Sequence, residues 1–275
     1  MSKLLVKNIG RLQTPVGSFP HCGEKQGENL KLDNAAVYAE DGIIKAIASD
    51  GEIPVNEEDM DTIIDAEGKL VTPGLVEGHT HMVFGGYRQN EIPLKLKGAG
   101  YLDILRAGGG IMDTVRKTRS ASFEELYEKT EGFLDEMMYM GVTTCEIKSG
   151  YGLDLENEIK MLEVIKKLNE DHPMDIAATF LGPHAIPEEY KGRADEFIDL
   201  CCEEMLPAVK EKNLAEFADI FTEDSVFNYE QSKKYLEAAK ALGFDLKIHA
   251  DEIEAIGGSV LAGEMKAKSA EHLIV

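Results

Sequence analysis

The chain has 275 residues, of which 43% are hydrophobic and 29% charged, and its formal net charge is −22. Such a surface repels phosphate backbones and anionic lipid, which argues against nucleic acid or a membrane as partner. No apolar run approaches the roughly 18 residues of a membrane span, and the first ten residues lack a signal-peptide layout, so a cytoplasmic location is expected.

The first part of the chain reads as a small β domain over residues 1–69. Lys3 to Ile9 and Ala35 to Tyr38 are short apolar runs, and Asp41-Gly42 leads from the second into Ile43 to Ile47, a hairpin signal. Ile63 to Asp65 adds one more short strand. From residue 70 to 275 the texture changes to alternating strands and helices, which implies a parallel sheet of the α/β class. Strands are expected at Leu70–Val76, Val142–Ile147, Asp175–Leu181, Phe217–Phe221, Leu246–His249 and Ala270–Val275. Ser122 and Glu125 form a capping box ahead of a helix carrying Leu126, Phe133, Leu134 and Met137 on one face. Further helices are expected at Leu155–Leu168, Arg193–Val209, Tyr229–Leu242 and Gly258–Ala267, with Gly141 and Gly243 as left-handed caps.

Polar residues gather just after the strands: His79 and His81, Lys148 and Tyr151, His184, Glu223, His249 and Glu252, then His272. In a parallel (β/α) barrel those strand ends converge on the face that holds active sites. A closed barrel of this type has eight strands, and only six are visible. The four cysteines, Cys22, Cys145, Cys201 and Cys202, form no CxxC pair, so free thiols are expected.

His79 and His81 end an apolar strand introduced by Pro73-Gly74. Residues two apart on a strand point the same way, so both imidazoles can face the barrel interior and share a metal. A bare HxH is weak; its place at the start of a long β/α unit strengthens it. Imidazole nitrogens suit zinc, iron or nickel. His249, at another strand end, completes a three-ligand arc with an open position for water. Glu252 lies close enough in sequence to accept a proton, and His272 can polarise a carbonyl. The glycines of Glu146 to Gly152 suit a tight loop at the barrel mouth. Gly108 to Gly110 lacks the Lys and Ser/Thr of a phosphate-binding loop. Arg88 and Arg106 could present guanidinium forks to a carboxylate, although spacing alone makes each an ordinary surface arginine.

Taken together these segments resemble the imidazolonepropionases of the amidohydrolase superfamily. The matching pieces are Thr72 to Gly86 (TPGLVEGHTHMVFGG), Gly108 to Ile111, Glu146 to Leu153 (EIKSGYGL), Thr179 to Pro187 (TFLGPHAIP), His249 to Glu252 (HADE) and Ser269 to Leu273 (SAEHL). The HxH strand is common to many amidohydrolases, whereas KSGYGL and HADE together are more discriminating. The resemblance implies a TIM-like (β/α)8 amidohydrolase barrel, incomplete at its C-terminus, with a small N-terminal part of a composite β-sandwich. It further implies one zinc or iron ion on His79, His81 and His249, substrate contacts from Arg88, Tyr151, His184 and Glu252, and assistance to the metal-bound water from Glu252 and His272. The implied reaction is hydrolysis of 4-imidazolone-5-propanoate to N-formimidoyl-L-glutamate in histidine degradation, by a homodimer.

Two departures stand inside these motifs: Glu77-Gly78 replaces Asp-Pro, and Gly182-Pro183-His184 replaces Gly-Ala-His. The family's fourth ligand, an Asp ending the eighth strand, has no counterpart before Val275. A C-terminally truncated, inactive or impaired copy is therefore expected. Another cyclic-amide hydrolase or deaminase, or a non-catalytic fragment, are the alternatives.

Overall fold

The computed structural model describes residues 2–19, 21–49, 53–98 and 109–275, and Arg106 and Gly108 lie outside them. The chain divides into two compact units, Met1–Gly74 and Leu75–Val275.

The first unit is a five-stranded sheet in the order β3-β2-β1-β4, with β5 also paired to β1. Its strands are β1 (Lys3–Pro15), β2 (Asn29–Glu40), β3 (Ile43–Ala48), β4 (Thr62–Asp65) and β5 (Leu70–Val71). Asp41 and Gly42 both take positive φ, 50° and 75°, as a tight turn with twist matched to its strands requires. β1 runs six residues beyond the Ile9 expected from sequence. The extension follows a bulge between Val6 and Ile9, where Asn8 has φ 56°. Ile9, Leu12, Ala35 and Ala66 form a small core.

The second unit holds a parallel sheet formed by β6 (Leu75–Glu77), β7 (Val142–Lys148), β8 (Asp175–Phe180), β9 (Phe217–Ala218), β10 (Phe221–Thr222), β11 (Asp245–Ala250) and β12 (Ser269–His272). Helices alternate with them: α1 (Ile92–Leu96), α2 (Ile111–Ser120), α3 (Phe123–Tyr139), α4 (Leu155–Asp171), α5 (Ala194–Leu200), α6 (Leu206–Glu211), α7 (Tyr229–Ala241) and α8 (Gly258–Met265). The sheet follows chain order from β6 to β12, β9 and β10 together occupying one place beside β11, as in a partly closed barrel. Alternation along the strands sorts the side chains. Cys145 and Ile147 on β7, and Leu246 and Ile248 on β11, join the apolar core under the helices. That leaves Glu146, Lys148, Lys247 and His249 for the barrel interior. On α4, Met161, Leu162, Ile165 and Leu168 are wholly buried in the same core. At about 1.5–3 kcal/mol for each large apolar side chain, such stripes dominate the stability of the unit.

Several expected elements differ in detail, and the strand expected over Phe217–Phe221 is two, Phe217–Ala218 and Phe221–Thr222. The run Leu70–Val76 is two strands: Leu70–Val71 pairs with β1, and Leu75–Glu77 pairs with β7. Pro73 and Gly74 between them interrupt the ladder, since proline has no N–H to give. The strand expected over Ala270–Val275 ends at His272, because His272 and Leu273 take φ of 71° and 52°. The helix expected over Arg193–Val209 contains a π turn at Cys201–Met205. Pro207 lies just after that turn and cannot continue a normal i→i−4 ladder. The capping box is present as expected, with Glu125 N donating to Ser122 Oγ at 3.1 Å and Ser122 N to Glu125 Oε2 at 2.8 Å.

Candidate metal centre and active site

His79 and His81 lie just beyond β6, and the intervening Thr80 is tied to β7. Lys148 N donates to Thr80 O at 2.9 Å, and Thr80 Oγ1 donates to Glu146 O at 2.5 Å. With Thr80 fixed toward β7, the two flanking imidazoles share one side. Their Nε2 atoms are 3.2 Å apart, and His249 Nε2, from β11, lies 3.4 Å from His81 Nε2. One nitrogen from each ring falls within 4.8 Å of the others, a grouping able to hold a metal ion. Burial, reinforced by His184, His249, His79 and Lys148, pushes His81 well below the ordinary imidazole value. It is therefore neutral, as a ligand must be.

Other expected site residues collect around this trio. His184 stacks on His81, ring centres 4.8 Å apart and 14° from parallel, and its Nδ1 is 3.0 Å from Gly150 O. Burial, with His249 adding to it, pushes His184 down to about 3, so it too is a neutral ring. The Tyr151 ring centre is 5.3 Å from that of His184. Burial raises its phenol against the opposing influence of Arg88, leaving an O–H donor. The His272 ring centre is 5.0 Å from His249 and 5.3 Å from His79, and its Nε2 is 3.5 Å from Glu252 Oε2. Arg88 is half-exposed, with Nε 3.7 Å from Glu91.

Several residues that shape the site were given no role from the sequence, although Lys148 and Glu223 stood among the polar residues at the strand ends. Asp219, in the gap between β9 and β10, is fully buried, with Oδ2 3.0 Å from His249 Nδ1 and 2.9 Å from Lys148 Nζ. Burial alone would raise its carboxyl; His249 and Lys148 outweigh that and hold it well below the usual range. Lys148, also fully buried, donates to Glu146 Oε1 at 2.7 Å. Burial opposes its charge, but Asp219 and Glu146 outweigh burial and keep the ammonium above its ordinary value. Lys247 Nζ lies 2.9 Å from Glu146 Oε2. Glu271 on β12 faces His79 Nδ1 at 3.1 Å. Burial pushes this carboxyl up, yet the contacts with His79 and Ser269 hold it down to about 2. Finally, Glu223 accepts backbone N–H bonds from Glu252 at 3.2 Å, Ile253 at 2.8 Å and Glu254 at 3.0 Å, fixing the loop that carries Glu252. One signal for Asp219 existed: an acid inside the apolar run Phe217 to Phe221.

A cavity of about 860 Å³ opens beside His184, walled by Ile111, Met112, Ile186, Phe221 and Val226. It is large enough for a small organic molecule. The site thus offers converged imidazole nitrogens, an acid paired with an imidazole, a neutral O–H donor and a neutral imidazole acceptor beside an apolar-walled space. That combination suits hydrolysis of a polarised C–N bond.

No family model matches the chain. Curated relatives named imidazolonepropionase do: it is 50% identical over 277 residues to that of Phocaeicola vulgatus, covering all of this chain and 66% of the relative. It is 49% identical to the one from Alkaliphilus metalliredigens, at the same coverage, and 50% to the one from Bacillus cytotoxicus, covering 64% of it. The chain thus spans about two thirds of the length of these relatives. Among solved structures, 5-methylcytosine deaminase from Klebsiella pneumoniae superposes with a TM-score of 0.61 at 15% identity, covering 94% of this chain and 55% of that one. Guanine deaminase from E. coli gives 0.59 at 13% identity, covering 92% and 54%. At such identity these structures establish the fold, an amidohydrolase barrel. With about half of its residues identical to these relatives along its whole length, the chain belongs to the imidazolonepropionase family.

Proposed function

We propose that the protein hydrolyses the ring C–N bond of 4-imidazolone-5-propanoate to give N-formimidoyl-L-glutamate, a step of histidine degradation. The observation that carries this reading is the whole-chain identity of about half to proteins of that name. His79, His81 and His249 would hold one zinc or iron ion through Nε2, the donor set that such ions favour. When bound, the ion supplies Lewis acidity, which makes water a nucleophile at neutral pH and polarises a carbonyl.

The chain's own groups account for the rest. Glu252 accepts the proton of the attacking water, and the adjacent His272 relays it toward the departing ring nitrogen. Tyr151 donates a hydrogen bond to the imidazolone. Neutral His184, its one proton taken by Gly150 O, offers Nε2 as an acceptor for a ring N–H, and Arg88 pairs with the propanoate. Glu223 keeps Glu252 in place through the backbone of its loop. We read the enzyme as cytoplasmic and homodimeric, its ligand a small molecule; among the described residues no helix is long and apolar enough to cross a membrane.

The test is turnover. The zinc-loaded chain is given imidazolone propanoate, dihydroorotate, guanine and cytosine, and product is measured by mass spectrometry. Formimidoyl-glutamate as the main product supports the reading. Turnover of one of the others, with imidazolone propanoate untouched, would overturn it.

A further inference from the structure

We propose that Asp219 and Glu271 are positioning residues, each fixing one imidazole of the histidine trio so that its Nε2 lone pair faces the centre. The inference rests on the assignment of His79, His81 and His249 as ligands.

Both carboxylates meet their histidine at Nδ1, the ring nitrogen remote from the point of convergence: Glu271 Oε2 lies 3.1 Å from His79, and Asp219 Oδ2 lies 3.0 Å from His249. An acceptor at Nδ1 stabilises the tautomer with its proton there, which leaves Nε2 as a lone pair. Each carboxylate is itself held. Glu271 Oε1 accepts from Ser269 Oγ at 2.5 Å, which turns Oε2 toward His79. Glu271 is also the register partner of His249 on the neighbouring strand, so the sheet fixes its height in the barrel. Asp219 is anchored by Lys148 from below.

His81 is built differently. Its Nδ1 has no carboxylate beside it among the described residues, whereas that of His249, although it too makes no well-aligned hydrogen bond, lies 3.0 Å from Asp219; the His81 ring is placed by stacking on His184. Two of the three rings thus have a carboxylate within 3.1 Å of Nδ1, and the third is held by packing.

The experiment uses the full chain and zinc alone. Glu271→Leu removes the acceptor while keeping bulk at a partly exposed position, and Glu271→Gln restores an acceptor oxygen. Asp219→Asn and Asp219→Ala make the matching pair. Zinc affinity is measured by chelator competition, and histidine ring tautomers by ¹⁵N NMR on chelator-treated protein.

The unmodified chain is expected to bind zinc with His79 and His249 as Nδ1–H tautomers. Glu271→Leu should bind about 10–100-fold more weakly, with Glu271→Gln in between. A folded Glu271→Leu chain with unchanged zinc affinity and unchanged His79 tautomer would overturn the proposal, even if the Asp219 variants fail to fold. Should the unmodified chain bind no zinc while both rings are Nδ1–H, the ligand assignment falls and the carboxylate control of the rings stands. Loss of both features overturns both.

Discussion

Lys148 Nζ and Asp219 Oδ2 meet at 2.9 Å with both side chains wholly excluded from solvent, a charge pair inside the barrel wall directly behind His249. Glu146 shares the lysine from the other side at 2.7 Å. Removing the cation leaves Asp219 without its ammonium partner in a low-dielectric space, while Glu146 keeps Lys247. Lys148→Met should therefore cost about 3–5 kcal/mol, the usual loss when one partner of a buried pair is deleted. Urea unfolding would measure it, and a loss under about 1 kcal/mol would show that the pair contributes little to stability.

Glu158 makes a different use of burial. Its carboxylate, fully buried on α4, accepts N–H bonds from Gly152 at 2.7 Å, Leu153 at 2.9 Å and Gly150 at 3.1 Å, and so pins the loop around Tyr151. Burial raises its pKa despite the hydrogen bonds from Ser149 and those backbone amides. The folded chain then keeps a proton that the unfolded chain has already released. Stability from this group is complete below the ordinary carboxylate pKa and is lost as pH rises through the elevated one. Glu158→Gln should flatten that part of the stability–pH curve. At neutral pH it should cost about 1–3 kcal/mol, because its amide nitrogen faces backbone donors. An unchanged slope between the variant and the parent would contradict the assignment.

These two residues show where sequence is legible and where it is not. The HxH pair, His249, His272 and the capping box could be read because each follows from local spacing and a strand or helix period. Glu146 and Lys148 were visible as part of a loop motif. Their parity with Cys145 and Ile147, which puts them inside the barrel, emerges only once β7 is fixed between β6 and β8. Glu271 stood in the sequence as a mere neighbour of His272. Its distance to His79 spans 192 positions of chain, and no local period reports such a contact. The split of Leu70–Val76 was written in Pro73-Gly74, yet its apolar content masked the break. Arg88 likewise looked free, whereas Glu91 lies beside it.

Glu223 tests whether the Glu252 loop is preorganised. With three backbone amides of residues 252–254 directed onto one carboxylate, Glu223→Gln loses an anionic acceptor and presents an NH2 group to those donors. Hydrogen exchange at Ile253 and Glu254 should accelerate by at least about tenfold, while amides of α4 stay protected. If Glu252 acts on the proposed reaction, kcat should fall with little change in KM. Unaltered exchange at both residues would show that the loop is held by other contacts.

The last prediction separates ligands from substrate contacts within one crowded set of rings. His249 and His184 have ring centres 5.9 Å apart, and each also packs on His81. Yet their nitrogens are directed differently: His249 Nε2 faces the trio, while His184 Nδ1 is taken up by Gly150. His249→Ala should therefore lose zinc, by elemental analysis after dialysis, and with it all turnover. His184→Ala should retain zinc near the parent's stoichiometry while kcat/KM falls about 10–100-fold, as when a substrate N–H is left without its acceptor, a loss of about 1–3 kcal/mol. Treatment of the parent with a strong chelator should reproduce the His249→Ala result, and added zinc should reverse it. If His184→Ala instead lost zinc in proportion to activity, His184 would belong to the ligand set, and the division between ligands and substrate contacts drawn above would fall.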